Sequence, residues 1–383
     1  MKILMLAPQP FFSPRGTPFS EYHRINSLCR QGHEVDLITY PIGQNIHIDG
    51  LTIHRCPNPL GIKSVKTGPS LAKIYLDILL FFSALRRFLG RRYDLIHTHE
   101  EAAFFAYLLR KFKKVPHLYD MHSSLVQQMD NFQTTRSSLV LRFFHWFERK
   151  VLNDAAAVIV ICRSLFDHAA QICSPGKLVM IENFIDDTSG LTAESPVPAL
   201  PEEIPGQKIV FYAGTLEAYQ GIPLLLEALP LLPAGLLLWL AGGQPAQIEA
   251  LKETANALGV ADRVHFFGQL PPEQIPPLIE KCDVLVSPRS RGTNIPLKVY
   301  SYLKSGKPLV ATDIYSHTQT LTPDISILVK PEARDLARGI TQALTAEGDR
   351  IAAQAALFCR ENYTLERYDQ LVKSALDQAR SLP

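Results

Sequence analysis

The sequence predicts an α/β protein of two similar halves, each a parallel sheet with helices on both faces. Three observations lead to that prediction. Short apolar runs rich in Ile, Val and Leu alternate with longer stretches of helical periodicity. Residues 188–207, TSGLTAESPVPALPEEIPGQ, lack hydrophobic periodicity and carry four prolines, the composition of a linker. A second series of strand-like runs begins directly after them. A length of 383 residues suits two or three domains at about 100–200 residues each. A (β/α)8 barrel is the competing fold, and the Pro-rich break at mid-chain counts against it.

The elements follow in order. KILMLAP reads as a buried strand, and the Gly/Pro loop SPRGTP follows it. SEYHRINSLCRQG has helical spacing, with Gly32 suited to the C-cap. HEVDLITY, RYDLIHTH, VPHLYDMHS and AAAVIVICRS are further strands, with polar loops and helical stretches between them. In the second half the strands are KIVFYAG, GLLLWLAGG, RVHFFGQL, CDVLVSPR and PLVATDI. Within SPRSRGTNIPLKVYSYLKSGKPLVAT a strand ends at Val286. Pro296 then fits the first turn of a helix from about Leu297 to Lys304, which Gly306 closes. LERYDQLVKSAL gives a final helix. The predicted division is a domain at 1–187, a linker at 188–207, a domain at 208–364 and a helical segment at 365–383.

Composition narrows the function classes. Hydrophobic residues make up 46% and charged residues 20%, which excludes a disordered or fibrous chain. Lys+Arg is 39 and Asp+Glu is 37, so the net charge of +2 gives no reason to expect a nucleic-acid partner. Six cysteines are scattered singly without CxxC spacing, which argues against a zinc ribbon or redox motif and for a reducing, cytoplasmic setting. MKILMLAP is too short for a signal-peptide core, and no stretch reaches about 18 apolar residues free of charge. IYLDILLFFSALRRFLGRR (74–92) and FFHWFERK (143–150) mix apolar, aromatic and basic residues as interfacial helices do. Helices packed on a sheet with a basic end in water have the same pattern. Peripheral contact with the inner face of a membrane therefore stands beside a plainly cytoplasmic location.

In doubly wound sheets ligands bind outside the carboxyl ends of the strands, so candidate residues are those that follow each strand. In the first half these are Gly16 and Thr17, then His97, His99 and Glu100, then Asp120 and His122. Gly16 lets backbone approach a phosphate or sugar, Thr17 adds a hydroxyl, and a helix start favours anions. Asp120 and His122 share a face if both lie on a strand, and a histidine there can donate a hydrogen bond or shuttle a proton. HxHEE invites a metal reading, but no third ligand stands at a recognised spacing. In the second half the candidates are Gly214, Thr215, Glu217, Gln220, Gly243, Phe267, Thr293, Asn294, Leu297, Lys298 and Ser301. Free N–H groups near Leu297 and the Lys298 charge would form an anion site. No G-x-G-x-x-G follows a strand, which disfavours a nicotinamide dehydrogenase.

The ordered segments resemble the retaining glycosyltransferases of family 4 (glycosyl transferases group 1), which have the two-domain GT-B fold. RGTPFSEYHRINSLCRQGHEVDLIT resembles the family's glycine loop, first helix and "GHEV" strand, and YDLIHTHE and YDMHSS resemble its two histidine-bearing segments. KLVMIENFIDD matches the interdomain segment at Asn183 and Asp186. FYAGTLEAYQGIPLLLEAL resembles the donor loop, and GTNIPLKVYSYLKSGKPLVAT the segment ending "E-A-M-A-x-G-x-P-V-V-A-T". The resemblance implies two Rossmann-like domains facing across a cleft, with the last helix crossing back to the first domain. It implies transfer of a sugar from a nucleotide-diphosphate donor to a hydroxyl on a saccharide, lipid-linked or small-molecule acceptor, with neither cofactor nor metal. By the same resemblance His122 contacts the transferred sugar, Gly16 and Thr17 approach the donor diphosphate, and the amides of Leu297 and Lys298 hold it. The sequence also departs from the family. Thr293 and Ser301 stand where two glutamates are usual, and Thr215 and Gln220 where the donor loop carries Arg and Lys. Lys298 offsets part of that lost charge. A nucleotide-sugar epimerase on the same fold and a non-catalytic nucleotide-sugar-binding protein remain the alternatives.

Overall fold

A computed structural model describes residues 1–12, 16–65, 70–124, 138–182, 198, 200–201 and 206–381. The chain divides into two compact units, Met1–Asn183 with Leu365–Pro383, and Phe184–Thr364. Most of the expected linker 188–207 lies outside the described residues, as do Asn183, Asp186 and the Ser13–Arg15 part of the first Gly/Pro loop.

The first unit is a seven-stranded parallel sheet in the order β3-β2-β1-β4-β5-β6-β7. Its strands are β1 Lys2–Ala7, β2 Glu34–Thr39, β3 Leu51–Arg55, β4 Leu95–His99, β5 His117–Met121, β6 Ala157–Val160 and β7 Leu178–Met180. Its first five helices are α1 Gly16–Arg30, α2 Leu71–Gly90, α3 Ala102–Leu109, α4 Ser138–Asp154 and α5 Arg163–Ala170. Ile3 through Ala7 are fully buried. That is why β1 reads as an unbroken apolar run: both faces of a parallel sheet are covered by helices. Leu4, Leu6, Ile38 and Ile96 face a core shared with Leu76, Leu80, Ala84 and Phe88 of α2 and Ala102 and Ala106 of α3. The last helix of the chain, Leu365–Ser381, packs on α1 and on β5, β6 and β7.

The second unit is a six-stranded parallel sheet in the order β10-β9-β8-β11-β12-β13. Its strands are β8 Lys208–Ala213, β9 Leu236–Ala241, β10 Val264–Gly268, β11 Val284–Ser287, β12 Leu309–Thr312 and β13 Ile327–Val329. Its helices are α6 Ile222–Ala228, α7 Pro245–Ala257, α8 Ile275–Lys281, α9 Lys298–Lys304, α10 Tyr315–Thr318, α11 Ala333–Ala343 and α12 Ala346–Asn362, so the helix at Leu365–Ser381 is α13. Two apolar clusters, one on each face, enclose the sheet.

Each sheet reverses its direction of winding once, between β1 and β4 in the first and between β8 and β11 in the second. Loops leaving neighbouring strands at such a point diverge and open a crevice at the carboxyl ends. Three strands were not expected from the sequence: β3, β7 and β13. All three lie at sheet edges and bury their residues incompletely; β3 mixes in polar residues, and β7 and β13 are apolar but only three residues long. The helix after β11 also differs from expectation. Leu297 is its N-cap, so Pro296 precedes the cap instead of occupying the first turn. Among the described residues, no helix is long and apolar enough to cross a membrane.

Candidate functional site

In the first unit, five polar side chains converge near the end of β5. Asp120 is fully buried, and Arg24 of α1 reaches it through Nε at 2.7 Å from Oδ2. His122, just past the strand, places Nε2 at 3.3 Å from Asp120 Oδ1. β4 and β5 pair with His99 opposite Asp120, which brings His99 Nδ1 to 4.0 Å and His97 Nε2 to 3.6 Å from Oδ2. The rings of His97 and His99 stack at 5.0 Å, and those of His99 and His122 at 5.4 Å. Asp120 and His122 come together, although His122 lies just past β5 and not on the strand.

Burial opposes charge on every one of these groups, and their mutual contacts decide which of them keep it. Burial would raise the Asp120 carboxyl, but Arg24 and then His122 hold it well below its ordinary value. Burial lowers His122 to about 4, against the pull of Asp120. His97 and His99 are also lowered, chiefly by burial. At neutral pH the cluster is an ionised Arg24–Asp120 pair surrounded by neutral imidazoles. The hydrogen bond at His122 Nε2 is with His99 Nδ1, at 3.2 Å, so one of these two nitrogens carries the proton and the other accepts it.

His97, His99 and Asp120 offer three ligand atoms within 4.8 Å of one another, so the third ligand that the HxHEE segment lacks comes from the neighbouring strand. The donor set fits a divalent ion poorly. Arg24, only 1% exposed, already neutralises Asp120, so an ion there would add uncompensated charge in a buried place. Beside the cluster stands a carboxyl group of a different kind. Glu100 follows β4 with a positive φ of 49° and accepts from Ser123 Oγ at 2.9 Å. Burial, and then Glu101, push its carboxyl up to about 7. Glu21 of α1 is raised well above its ordinary value, first by burial and then by Asp120.

In the second unit, the loops after β8 and β11 meet at Gly214 and Lys298. Gly214 has φ 151°, and a Cβ there would stand 2.8 Å from Lys298 Nζ. Lys298 Nζ is buried without a hydrogen-bond partner and lies 3.5 Å from the centroid of the Tyr212 ring. Burial, and then the charge of Arg289, lower its ammonium well below the ordinary value. The Arg289 guanidinium lies over the Tyr219 ring at 5.0 Å and donates through Nη1 to the Asn294 carbonyl at 2.7 Å, while its Nε is buried and unpaired. Two cations so placed form an anion site with its charge already desolvated.

The other expected residues are placed as follows. Gln220 is buried, with Oε1 unpaired, and so is no surface residue. Thr215 is exposed, and its carbonyl accepts from the Tyr212 hydroxyl at 2.6 Å. Glu217 is exposed and accepts from Gln247 Nε2 at 2.9 Å. Gly242 and Gly243 follow β9, where a Cβ on Gly242 would overlap the Gly214 carbonyl at 1.9 Å and one on Gly243 would meet Leu216. Phe267 is half-buried in β10, edge-on to Trp239. Thr293 is exposed, and its carbonyl accepts from Gln319 Nε2 at 2.6 Å; Ser301 is one turn into α9. In the first unit Gly16 and Thr17 begin α1.

Sequence reasoning missed Arg24, Glu21 and Arg289. For the first two a signal existed. Glu21, Arg24 and Ser27 recur every three residues along α1 and all are buried, a polar stripe on an inward face. For Arg289 the only sign was its place two residues after β11.

Residues 22–183 match the glycosyl transferase 4-like domain family, and residues 200–356 match glycosyl transferases group 1. Alpha-D-kanosaminyltransferase of Streptomyces kanamyceticus is 25% identical over 386 residues, 95% of this chain and 96% of that one. Sucrose-phosphate synthase from Thermosynechococcus elongatus shares the fold with a TM-score of 0.78 at 19% identity, over 100% of both chains. Anabaena Alr3699/HepE, solved in complex with UDP, does so with a TM-score of 0.74 at 18% identity, over 98% of this chain and 100% of that one. The two family matches together span most of the sequence, both sheets have the doubly wound order, and the chain belongs to the group 1 glycosyltransferases on the GT-B fold.

Proposed function

We propose that this glycosyltransferase takes a nucleotide-diphosphate sugar and passes the sugar, with retention of configuration, to an acceptor hydroxyl on a saccharide, a lipid-linked glycan or a small molecule. The observation that carries this reading is the buried, unpaired Lys298 ammonium beside Gly214, with Arg289 next to it. A diphosphate supplies the missing partner. The complexes of Anabaena Alr3699/HepE with UDP and with UDP-glucose support a donor of this class.

Lys298 and Arg289 stand in for the Arg and Lys that Thr215 and Gln220 replace, and they stabilise the leaving diphosphate as the glycosidic bond breaks. The amides of Leu297 and Lys298 in the second unit, and Gly16 and Thr17 in the first, add neutral donors to the phosphates. Gly243, Phe267, Glu217, Asn294, Thr293 and Ser301 line the nucleotide and sugar. His122 contacts the transferred sugar, with its ring held by the hydrogen bond to His99. With cations and amides on the phosphates, no metal is required, and the reaction uses no cofactor. Six free cysteines suit a cytoplasmic enzyme.

The test is a thermal-shift screen of UDP-, GDP- and ADP-sugars, followed by determination of the anomeric configuration of the product by NMR. Stabilisation by one nucleotide series and a product of retained configuration is the expected result. No stabilisation by any of them sinks the donor reading. An inverted product sinks retention.

A further inference from the structure

We infer that the helix layer formed by α2, α3 and α4 on the first unit is a docking surface for a bilayer with anionic headgroups. The argument starts with α2, which is apolar on two opposite sides. Leu76, Leu80, Ala84 and Phe88 face the core. Leu71, Ile74, Ile78, Phe82 and Leu89 recur at spacings of three, four and seven residues on the opposite side, and all are exposed, Phe82 to 60%. A helix that needs one apolar face for packing has no folding reason for a second one of four turns.

Half-buried and buried aromatic rings join α2 to its neighbours in one layer. Phe81 of α2 contacts Phe105 of α3 at 5.5 Å, Phe104 of α3 contacts Phe147 of α4 at 4.8 Å, and Phe143 of α4 lies 6.4 Å from Phe147. Phe143 and Trp146 then stand outward from α4. The layer therefore exposes an apolar stripe on α2 and a pair of aromatic rings on α4, more than the isolated exposed residues that any soluble protein carries.

Charge identifies the occupant. The three acidic residues within these helices all turn to partners of the protein itself: Asp77 to the Tyr40 hydroxyl at 2.5 Å, Glu148 to His168 at 2.9 Å, and Asp154 to Arg110. Arg86, Arg142, Arg149 and Lys150 are exposed. Cations flanking an apolar stripe, with the acids withdrawn, fit an anionic lipid interface. A second copy of the chain would bring the same cations together.

Trp146 makes the surface readable by fluorescence. The chain has two tryptophans; Trp146 is 46% exposed and Trp239 is 1% exposed. With vesicles of phosphatidylcholine and phosphatidylglycerol, Trp146 emission is expected to shift to the blue and the protein to sediment with lipid. Phosphatidylcholine alone is expected to give neither. Ile78→Glu/Phe82→Glu is expected to abolish binding, and Arg142→Gln/Arg149→Gln to weaken it about tenfold to thirtyfold. Trp146→Phe removes the spectral shift and keeps sedimentation. All five substituted side chains lie at exposed positions, so folding is preserved, and circular dichroism checks this. Sedimentation unaffected by the Glu variant, equal binding to both vesicle types, or a lipid-free dimer that shifts Trp146 would each overturn the inference. Because no donor or acceptor is present, such failures leave the transferase reading intact.

Discussion

Replacing Lys298 by Met separates the donor site from the scaffold that carries it. The ammonium is buried, unpaired and pressed on Gly214 and Tyr212. Without ligand it contributes only packing on the Tyr212 ring, against a cost of about 1–3 kcal/mol for an unsatisfied buried polar group. Methionine keeps the length and packs on the same ring. The Tm of the free protein should therefore stay level or rise by up to about 2–4 °C, the change that ~1 kcal/mol gives in a domain of this size. With the diphosphate bound, the lost charge-assisted contact is worth about 1.5–3 kcal/mol, so the Kd for UDP should rise about tenfold to 150-fold. Isothermal titration measures the affinity and differential scanning fluorimetry the stability. An unchanged Kd would refute the phosphate role. A Tm that falls together with the affinity would show that Lys298 supports the fold instead.

The same lysine gives the binding step a proton signature. Its folded-state pKa is well below the ordinary lysine value, so the free protein holds fewer protons there than the unfolded chain does. Stability should rise with pH from that lowered value to about 10.4, and Lys298→Met should remove this contribution. A diphosphate favours the ammonium and draws a proton in. Titrations in two buffers of different ionisation enthalpy should therefore report net proton uptake that the Met variant lacks. Equal uptake by both proteins would place the proton elsewhere.

The remaining predictions concern mainly the first unit. His122→Ala should lose at least about tenfold in turnover, about 1.4 kcal/mol, with donor affinity nearly unchanged; near-normal turnover in a stable variant would remove His122 from the chemistry. Arg24→Met leaves Asp120 ionised and alone in the core and should destabilise the first unit by about 3–5 kcal/mol, whereas Arg24→Met/Asp120→Leu should recover much of that loss; a single variant as stable as the parent would deny the pair its electrostatic role. Glu100, pushed up to about 7, keeps a proton in the folded state that the unfolded chain releases near about 4.3, so stability should fall as pH rises through that window. Glu100→Gln should flatten the fall, with a residual slope from Asp77, also raised to about 7; an unaltered Tm–pH profile would refute the assignment. Transfer should persist in excess chelator, and complete, reversible loss would point to His97, His99 and Asp120 instead.

The limits of sequence reading here follow from what a parallel sheet does to sequence distance. Central strands such as β1 and β8 bury both faces, so their long apolar runs announce them, while at the edges β3 is partly polar and β7 and β13 are only three residues long. Lys298 was legible because a cation stands in an otherwise conventional strand–loop–helix passage. That it meets Gly214 was not, because Gly214 reaches it only through the pairing of β8 with β11, strands that other elements separate in sequence; Arg289, in the same loop as Lys298, carried no pattern that set it apart. Asp120 was legible beside His122, two positions on, but its strongest partner, Arg24, lies 96 residues away on a helix. That distant arginine also changes the chemistry of the histidines. His97 and His99 alternate along β4 as metal ligands would, and spacing alone cannot separate that use from another. Because Arg24 already pairs with Asp120, a divalent ion there would add uncompensated charge, and the three histidine rings stack beside that pair. The sequence carried the residue types, and the sheet order decided which of them share one electrostatic environment.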